Sequence, residues 1–346
     1  MSSFGGETKD EDVSAAADIR PRVLVTGASG KIGRQVVSEL LHRGYRVRAL
    51  TSKRVPEIAN SQGNLEWQQF NWDESLSFER LVVGCNAVLH LGAELLRIEK
   101  MQRSNVEATR ALARASEQAG VRFFCYISSA AVYGSSLNAT VTEESPLLTC
   151  DHDVKSEYFA VDYVRAYGRT KLAGERAICE EARRLSCVIL RPTVVVDVPD
   201  LVELRSWSYA KKAMAGYRHS HHVYILDVVH AVLWFMERNL GNSSLDPGVN
   251  VYNLSNDDVD DENTYAYFFR EAFRYSSDRR FKSIQLPRVF DRMRDVLRFR
   301  LPPVRHSLGT MRFSPGKLYS IGYRHRYGIK EAHRRALHSL AQNGSA

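Results

Sequence analysis

Apolar positions along the chain come first in short continuous runs and then at helical spacing. Val23-Leu-Val-Thr-Gly27 is a short apolar run that stops at glycine. From Ile32 to Leu41 the apolar residues Ile32, Val36, Val37, Leu40 and Leu41 fall on one side of a helix. Tyr45-Arg-Val-Arg-Ala-Leu50 predicts a second strand. Ala87 to Ala93 predicts another buried strand, ending in small residues, and Asn105 to Ala119 a helix. Val121 to Ser128 predicts a further strand. The repeated strand–helix–strand order implies an α/β fold built on a doubly wound parallel sheet. Ligands of such sheets bind at the carboxyl ends of strands, and Ser128 and Ser129 occupy one such end.

The expected organisation has three parts. Residues 1–20 are polar and acidic and read as a disordered extension. Residues 21–195 read as a Rossmann-type domain, interrupted by a cap insertion at 147–164. Residues 196–340 form a smaller substrate lobe, of which about 223–255 returns to the sheet. No run of about 18 apolar residues exists, so no membrane span is expected. The N-terminus lacks the basic start and apolar core of a signal peptide. Cys85, Cys125 and Cys187 sit in apolar segments, and with Cys150 and Cys179 they show no close-paired spacing; reduced thiols in a cytoplasmic protein are expected.

Charge changes the picture in one region. The net charge is +8, and from Arg270 to Arg335 basic residues outnumber acidic ones by more than three to one. That lobe suits an anionic small-molecule partner or a membrane surface, or is simply a solvated face; nucleic acid is not the expected partner.

The candidate chemistry lies at two places. Gly27, Gly30 and Gly33 stand between the first strand and helix, where a backbone can approach a pyrophosphate at a helix N-terminus. Ser29, Lys31 and Ile32 share that turn. After the second strand NAD-selective folds usually carry an acid for the ribose hydroxyls, but Thr51-Ser52-Lys53-Arg54 stands here and no carboxylate follows before Glu57. Ser52, Lys53 and Arg54 suit the 2′-phosphate of NADP, with NAD as the alternative. The second place is Tyr167-Gly-Arg-Thr-Lys171. Its four-residue spacing sets a lysine one helical turn from a tyrosine, where its charge would draw the phenol toward working pH. Together these predict hydride transfer with a tyrosine as proton shuttle.

TGASGKIG, HLGA, NVEATRAL, ISSAAVYG, YGRTKLAGE and LRPT occur in an order that resembles the extended short-chain dehydrogenase/reductase superfamily, the NAD-dependent epimerase/dehydratase family. The likeness continues into Tyr224-Ile-Leu-Asp-Val-Val-His-Ala231 and Phe313-Ser-Pro-Gly-Lys-Leu318, covering about residues 22–335. The resemblance implies that Ser129 fixes the substrate oxygen, Tyr167 is the general acid/base, and Lys171 lowers its pKa and binds the nicotinamide ribose. It implies a structural role for Asn105 within the catalytic set. Ser128, Pro192, Thr193 and Val194 would line the nicotinamide side, Leu91, Gly92 and Ala93 the cofactor path, and Asn71 with Trp72 the adenine end.

The resemblance also implies a reaction of the epimerase/dehydratase type, with a nucleotide-sugar as the leading substrate class. Departures weaken that substrate. The interval from Ser129 to Tyr167 is long, and that from Arg191 to Asp227 is short. Asp197-Val-Pro199 replaces the usual glycine-proline, and Ser220 replaces the arginine expected before a strand at 223–226; Arg218, His219 or Arg312 would then have to supply the charge for a diphosphate. The alternatives are a NADP-dependent carbonyl reductase or hydroxysteroid-dehydrogenase-like enzyme on a small uncharged substrate, and a non-catalytic cofactor-binding regulator; a homodimer is a further expectation. His219-Ser-His-His222 lacks metal-ligand spacing and reads as a phosphate contact or a loop, so no metal is expected. Pro287 to Phe299 is a candidate basic amphipathic helix, for a membrane surface or for this protein's own body.

Overall fold

Seven strands lie side by side in one parallel sheet, the inner ones too apolar to face water. The computed structural model describes residues 20–55, 63–72, 77–148, 162–217, 221–241, 248–259, 264–283, 293 and 311–344. Outside that set lie the 1–19 extension, Glu57, and residues 149–161 of the 147–164 cap, Cys150 among them. Arg218, His219 and Ser220 also lie outside it, as does the Pro287–Phe299 segment except Met293.

The first unit is β1 (Arg22–Thr26), α1 (Lys31–His42) and β2 (Arg46–Thr51). It is followed by β3 (Leu65–Gln69), α2 (Glu79–Val82) and β4 (Ala87–His90). Next come α3 (Ile98–Met101), a π-helical turn (Gln102–Glu107), α4 (Ala108–Gln118) and β5 (Phe123–Ile127). A 3₁₀ turn (Ala130–Tyr133), β6 (Thr140–Val141), α5 (Asp162–Glu181) and β7 (Ser186–Pro192) complete the first part. The remainder is β8 (Val194–Val196), α6 (Val198–Glu203), α7 (Tyr209–Tyr217), β9 (His222–Tyr224), α8 (Ile225–Leu240), β10 (Gly248–Leu254) and α9 (Thr264–Ser276). The chain closes with β11 (Arg312–Phe313), α10 (Gly316–Ser320) and α11 (Gly328–Gly344).

The sheet order is β10-β7-β5-β4-β1-β2-β3, parallel throughout. Successive residues of β1 point to opposite faces, and both faces are covered. Val23 and Val25 pack with Val36, Leu40, Val232 and Phe235 of α1 and α8. Leu24 packs with Phe78, Leu112 and Ile178 of the opposite layer. Burial on both sides is why β1, β4, β5 and β7 read as near-continuous apolar runs. The chain reverses direction of travel at β1, between β2 and β4, and this switch point is where α/β sheets take ligands.

The second lobe has its own core, in which Leu201, Phe268, Phe269, Phe281, Ile329 and Ala336 meet. Asp227 ties it to the sheet. Its buried carboxylate accepts from Asn256 Nδ2 (2.8 Å) and from the backbone N–H groups of Arg326, Tyr327 and Gly328 (2.9, 2.9 and 2.8 Å), which lead into α11.

Two elements differ from the sequence reading. The strand expected at 223–226 is β9, which pairs with β8 in a small separate sheet; within 223–255 it is β10 that joins the main sheet. The helix expected from Asn105 starts at Ile98 and passes through the π-helical turn, so Asn105 lies mid-helix. The wider turn leaves the Asn105 amide to bond outside its own helix.

Candidate active site

The glycine turn is built by close approach. Gly27 has φ +64°, and a Cβ there would lie 2.7 Å from Gly92 at the end of β4. A Cβ on Gly33 would meet Gly27 O at 2.1 Å. The turn is therefore pressed against both β4 and the first turn of α1, leaving room above it. Ser29 Oγ and Thr51 Oγ1 are 2.7 Å apart, and Lys53 N donates to Thr51 Oγ1 at 3.0 Å. Those bonds fix the end of β2 so that Ser52 and Lys53 face the same space. Lys31 ion-pairs with Asp200 of α6, linking the glycine turn to the second lobe.

That space is a cavity of about 1080 Å³ running over the carboxyl ends of the strands. Gly27, Ser29, Gly30, Lys31, Ile32, Gly33, Ser52, Lys53, Asn71, Trp72, Leu91, Gly92 and Ala93 line one end. Ser128, Ser129, Tyr167, Lys171, Pro192, Thr193 and Val194 line the other. Of the site residues expected from sequence, Arg54 and Asn105 do not line it. Asn105 sits behind the wall: its Oδ1 accepts from Glu94 N (2.8 Å), and its Nδ2 donates to Glu94 O (2.9 Å) and Thr170 Oγ1 (3.1 Å). It fixes α5 relative to the loop after β4.

Helix α5 carries Tyr167 and Lys171 and lies unusually close to its neighbours. A Cβ on Gly168 would be 2.6 Å from Ala131 O, and one on Gly174 would be 2.6 Å from both Tyr126 Oη and Asn105 O. The missing side chains let the tyrosine and lysine come up to the turn that bears Ser129. Ser129 caps that turn, its Oγ accepting from Ala131 N at 3.1 Å.

The electrostatics run against one expectation. Burial, not Lys171, dominates at Tyr167 and pushes its phenol up from the ordinary value. Burial pulls the Lys171 ammonium down to about 7, partly opposed by Glu175. The Nζ of Lys171 stands 6.0 Å from the Tyr167 ring centre. Counting the lysine's charge alone leaves out the cost of drying both groups.

A buried network behind the site was missed in the sequence. Ser128 Oγ donates to Glu175 Oε1. Arg191 grips Glu175 with two bonds, Nε to Oε1 at 3.0 Å and Nη2 to Oε2 at 2.6 Å, and donates to Tyr133 Oη at 2.8 Å. Tyr133 donates in turn to Asn253 Oδ1 at 2.7 Å. The available signals were Glu175, one turn beyond Lys171 on the same face, and a lone arginine inside an apolar strand, which demands a partner.

The cavity is also lined by Leu95, Leu96, Ala131, Tyr163, Val164 and Phe313, with Arg97, Lys100 and His221. Pairing of β11 with β6 brings Phe313 there. His221 is held by Asn256 O (2.6 Å) and Phe313 N (2.9 Å). Among the described residues no group of His, Cys, Asp and Glu could hold a metal ion, and no helix is long and apolar enough to cross a membrane.

A doubly wound sheet, a glycine cradle at its switch point and a serine, tyrosine and lysine on one cavity give the chain the fold and residue arrangement of the short-chain dehydrogenase/reductase superfamily. The chain belongs to the NAD dependent epimerase/dehydratase family, whose model matches residues 23–196. It is 25% identical over 186 residues to the decarboxylating sterol-4-alpha-carboxylate 3-dehydrogenase of Dictyostelium discoideum (51% of this chain, 52% of that protein). It is 31% identical over 195 residues to UDP-glucose 4-epimerase 4 of Oryza sativa subsp. japonica (51% and 48%). The match thus spans about half the length of these curated relatives. The fold also matches the solved structure of MoeE5 in complex with UDP-glucuronic acid and NAD, with TM-score 0.63 and 22% identity over 93% of this chain and 99% of that one.

Proposed function

We propose that the protein moves hydride between a bound nicotinamide dinucleotide and the carbon of a secondary alcohol or ketone carried on a largely apolar body. The observation that carries the substrate class is the exposed apolar lining of the cavity. Leu95 and Leu96 are 54% and 69% exposed there, with Val194 and Tyr163 also exposed. Large apolar side chains left in water around a cavity are covered when a ligand of matching character binds, each worth about 1.5–3 kcal/mol when fully buried.

The glycine cradle and the first turn of α1 fit the pyrophosphate, Lys53 the adenosine ribose, and Lys171 the nicotinamide ribose. The dinucleotide, when bound, supplies or accepts the hydride. The protein's own residues handle the oxygen. Ser129 Oγ already accepts from Ala131 N, so its own hydrogen is left to donate to the substrate oxygen. Tyr167, protonated at neutral pH, would give its proton to a carbonyl oxygen in the reductive direction. Tyr163 and Val164, at the end of the 147–164 segment, would close over the substrate rather than over the adenine end.

A nucleotide-sugar is the second reading. Arg97 and Lys100 at the cavity, and the sugar-nucleotide bound by MoeE5, favour it. One experiment separates the two. Thermal unfolding and NADPH oxidation are followed with a panel of hydrophobic ketones and with UDP and dTDP at millimolar concentration. Turnover of a hydrophobic ketone without stabilisation by either diphosphate is expected. Stabilisation by a nucleoside diphosphate alone would transfer the assignment to the sugar-nucleotide reading.

Cofactor choice is tested separately. Lys53 favours the 2′-phosphate, so NADPH is expected to bind more tightly than NADH by fluorescence titration. Lys53→Ala is expected to weaken NADPH about tenfold or more, the worth of one charge-assisted contact, and to leave NADH nearly unchanged. A clear preference of the wild-type protein for NADH would overturn the assignment.

A further inference from the structure

Lys171 is buried to 1% exposure, and among the described residues no carboxylate lies within ion-pair distance of it. Glu175, one turn on, gives its oxygens to Arg191 and Ser128. What Lys171 does have is a ring. Its Nζ lies 4.1 Å from the centre of the Tyr126 ring on β5, well inside cation–π range. The Tyr126 hydroxyl is pressed against α5 where Gly174 has no side chain. Its ring is backed by His90 of β4, stacked at 5.3 Å and 29°.

The hydrogen bonds of His90 fix its form. Gly92 N donates to Thr26 Oγ1 at 3.2 Å, and Thr109 Oγ1 donates to Asn105 O at 2.9 Å. Thr26 therefore has its hydrogen to give to His90 Nδ1 (2.7 Å), and Thr109 has a lone pair to receive one from His90 Nε2 (2.9 Å). The chain of donors runs one way and satisfies a neutral imidazole with its hydrogen on Nε2. A second cation beneath the ring would repel the lysine; this arrangement prevents it.

We propose that Tyr126 is a positioning residue, its ring face holding the Lys171 ammonium against the cavity wall while the neutral His90 ring holds Tyr126. The ionisable groups around the lysine are Tyr126, His90, Tyr167 and Glu175. Burial keeps His90 neutral down to about 3 and pushes the Tyr126 and Tyr167 phenols up, so the rings carry no charge at neutral pH. Glu175 supplies the one opposing charge, shared with Arg191. The ring face is therefore the contact that offsets part of the desolvation which draws Lys171 down to about 7.

The proposal rests on the reading of Lys171 as the lysine that serves the cofactor and Tyr167. It is tested on the full chain with ¹³Cε-labelled lysine, without substrate, the Lys171 signal being the one lost in Lys171→Met. Tyr126→Phe keeps the ring and is expected to leave the Lys171 titration midpoint nearly unchanged. A ring-fluorinated phenylalanine at 126 keeps the shape but reverses the charge of the ring face, and is expected to lower the midpoint by about one pH unit or more. The same midpoint in these two variants overturns the proposal. Tyr126→Leu gives the third comparison; its expected result is a lower midpoint together with loss of the ring-current shift. Full turnover in Lys171→Met would instead sink the catalytic reading of the lysine and leave the ring contact standing.

Discussion

Replacing Tyr167 by phenylalanine is expected to lower turnover by roughly 10²–10⁴-fold, the usual worth of a placed general acid. The aromatic ring stays, so the cavity wall and the packing of α5 stay with it. The dinucleotide dissociation constant, read by fluorescence titration, is expected to change little, because the glycine turn and Lys53 are untouched. Direction adds a second readout. Burial holds the phenol protonated across neutral pH, so reduction, which needs an acid, is expected to proceed there. Oxidation of the product alcohol needs Tyr167 as a base and is expected to climb with pH. Near-wild-type turnover in the phenylalanine variant would remove Tyr167 from the chemistry.

The first βαβ unit was legible because β1 is buried on both faces and must be apolar throughout, while α1 is buried on one side and shows it in its spacing. Strand β3 went unread for the complementary reason. It is the edge strand, Leu65-Glu-Trp-Gln-Gln69, with only Leu65 buried, so no apolar run announces it. The π-helical turn at Gln102–Glu107 was invisible because nothing in that stretch breaks helical spacing. Its cause is tertiary: the Asn105 amide binds the loop at Glu94 and Thr170 on α5.

The site was legible where chemistry fixes spacing. Tyr167 and Lys171 must share a helix face, and the glycines must sit between strand and helix. It was not legible where a residue's role depends on what lies across the fold. Tyr126 and His90 read as strand residues, and only the sheet register sets them side by side beneath Lys171. At Tyr167 burial opposes the pull expected of the lysine: sequence shows which charge is one turn away, not how dry the pair is.

The buried ion pair behind the site carries the largest expected effect on stability. Glu175 and Arg191 are 4% exposed each, joined by two hydrogen bonds, and satisfied further by Ser128 and Tyr133. Taking two charges out of water is costly, and their attraction offsets that cost only while both are present. Arg191→Met leaves a bare carboxylate next to Ser128, and its expected cost is about 3–5 kcal/mol of unfolding free energy. Glu175→Gln strands the guanidinium between β7 and α5 and is expected to cost a similar amount. The double variant removes both charges, and is expected to be more stable than either single one, by a coupling of a few kcal/mol. Denaturant unfolding of the four proteins measures it. Additive single effects would mean that water reaches the pair. The network would then be a surface contact rather than the dry support on which Ser128 and α5, and with them Tyr167 and Lys171, are held.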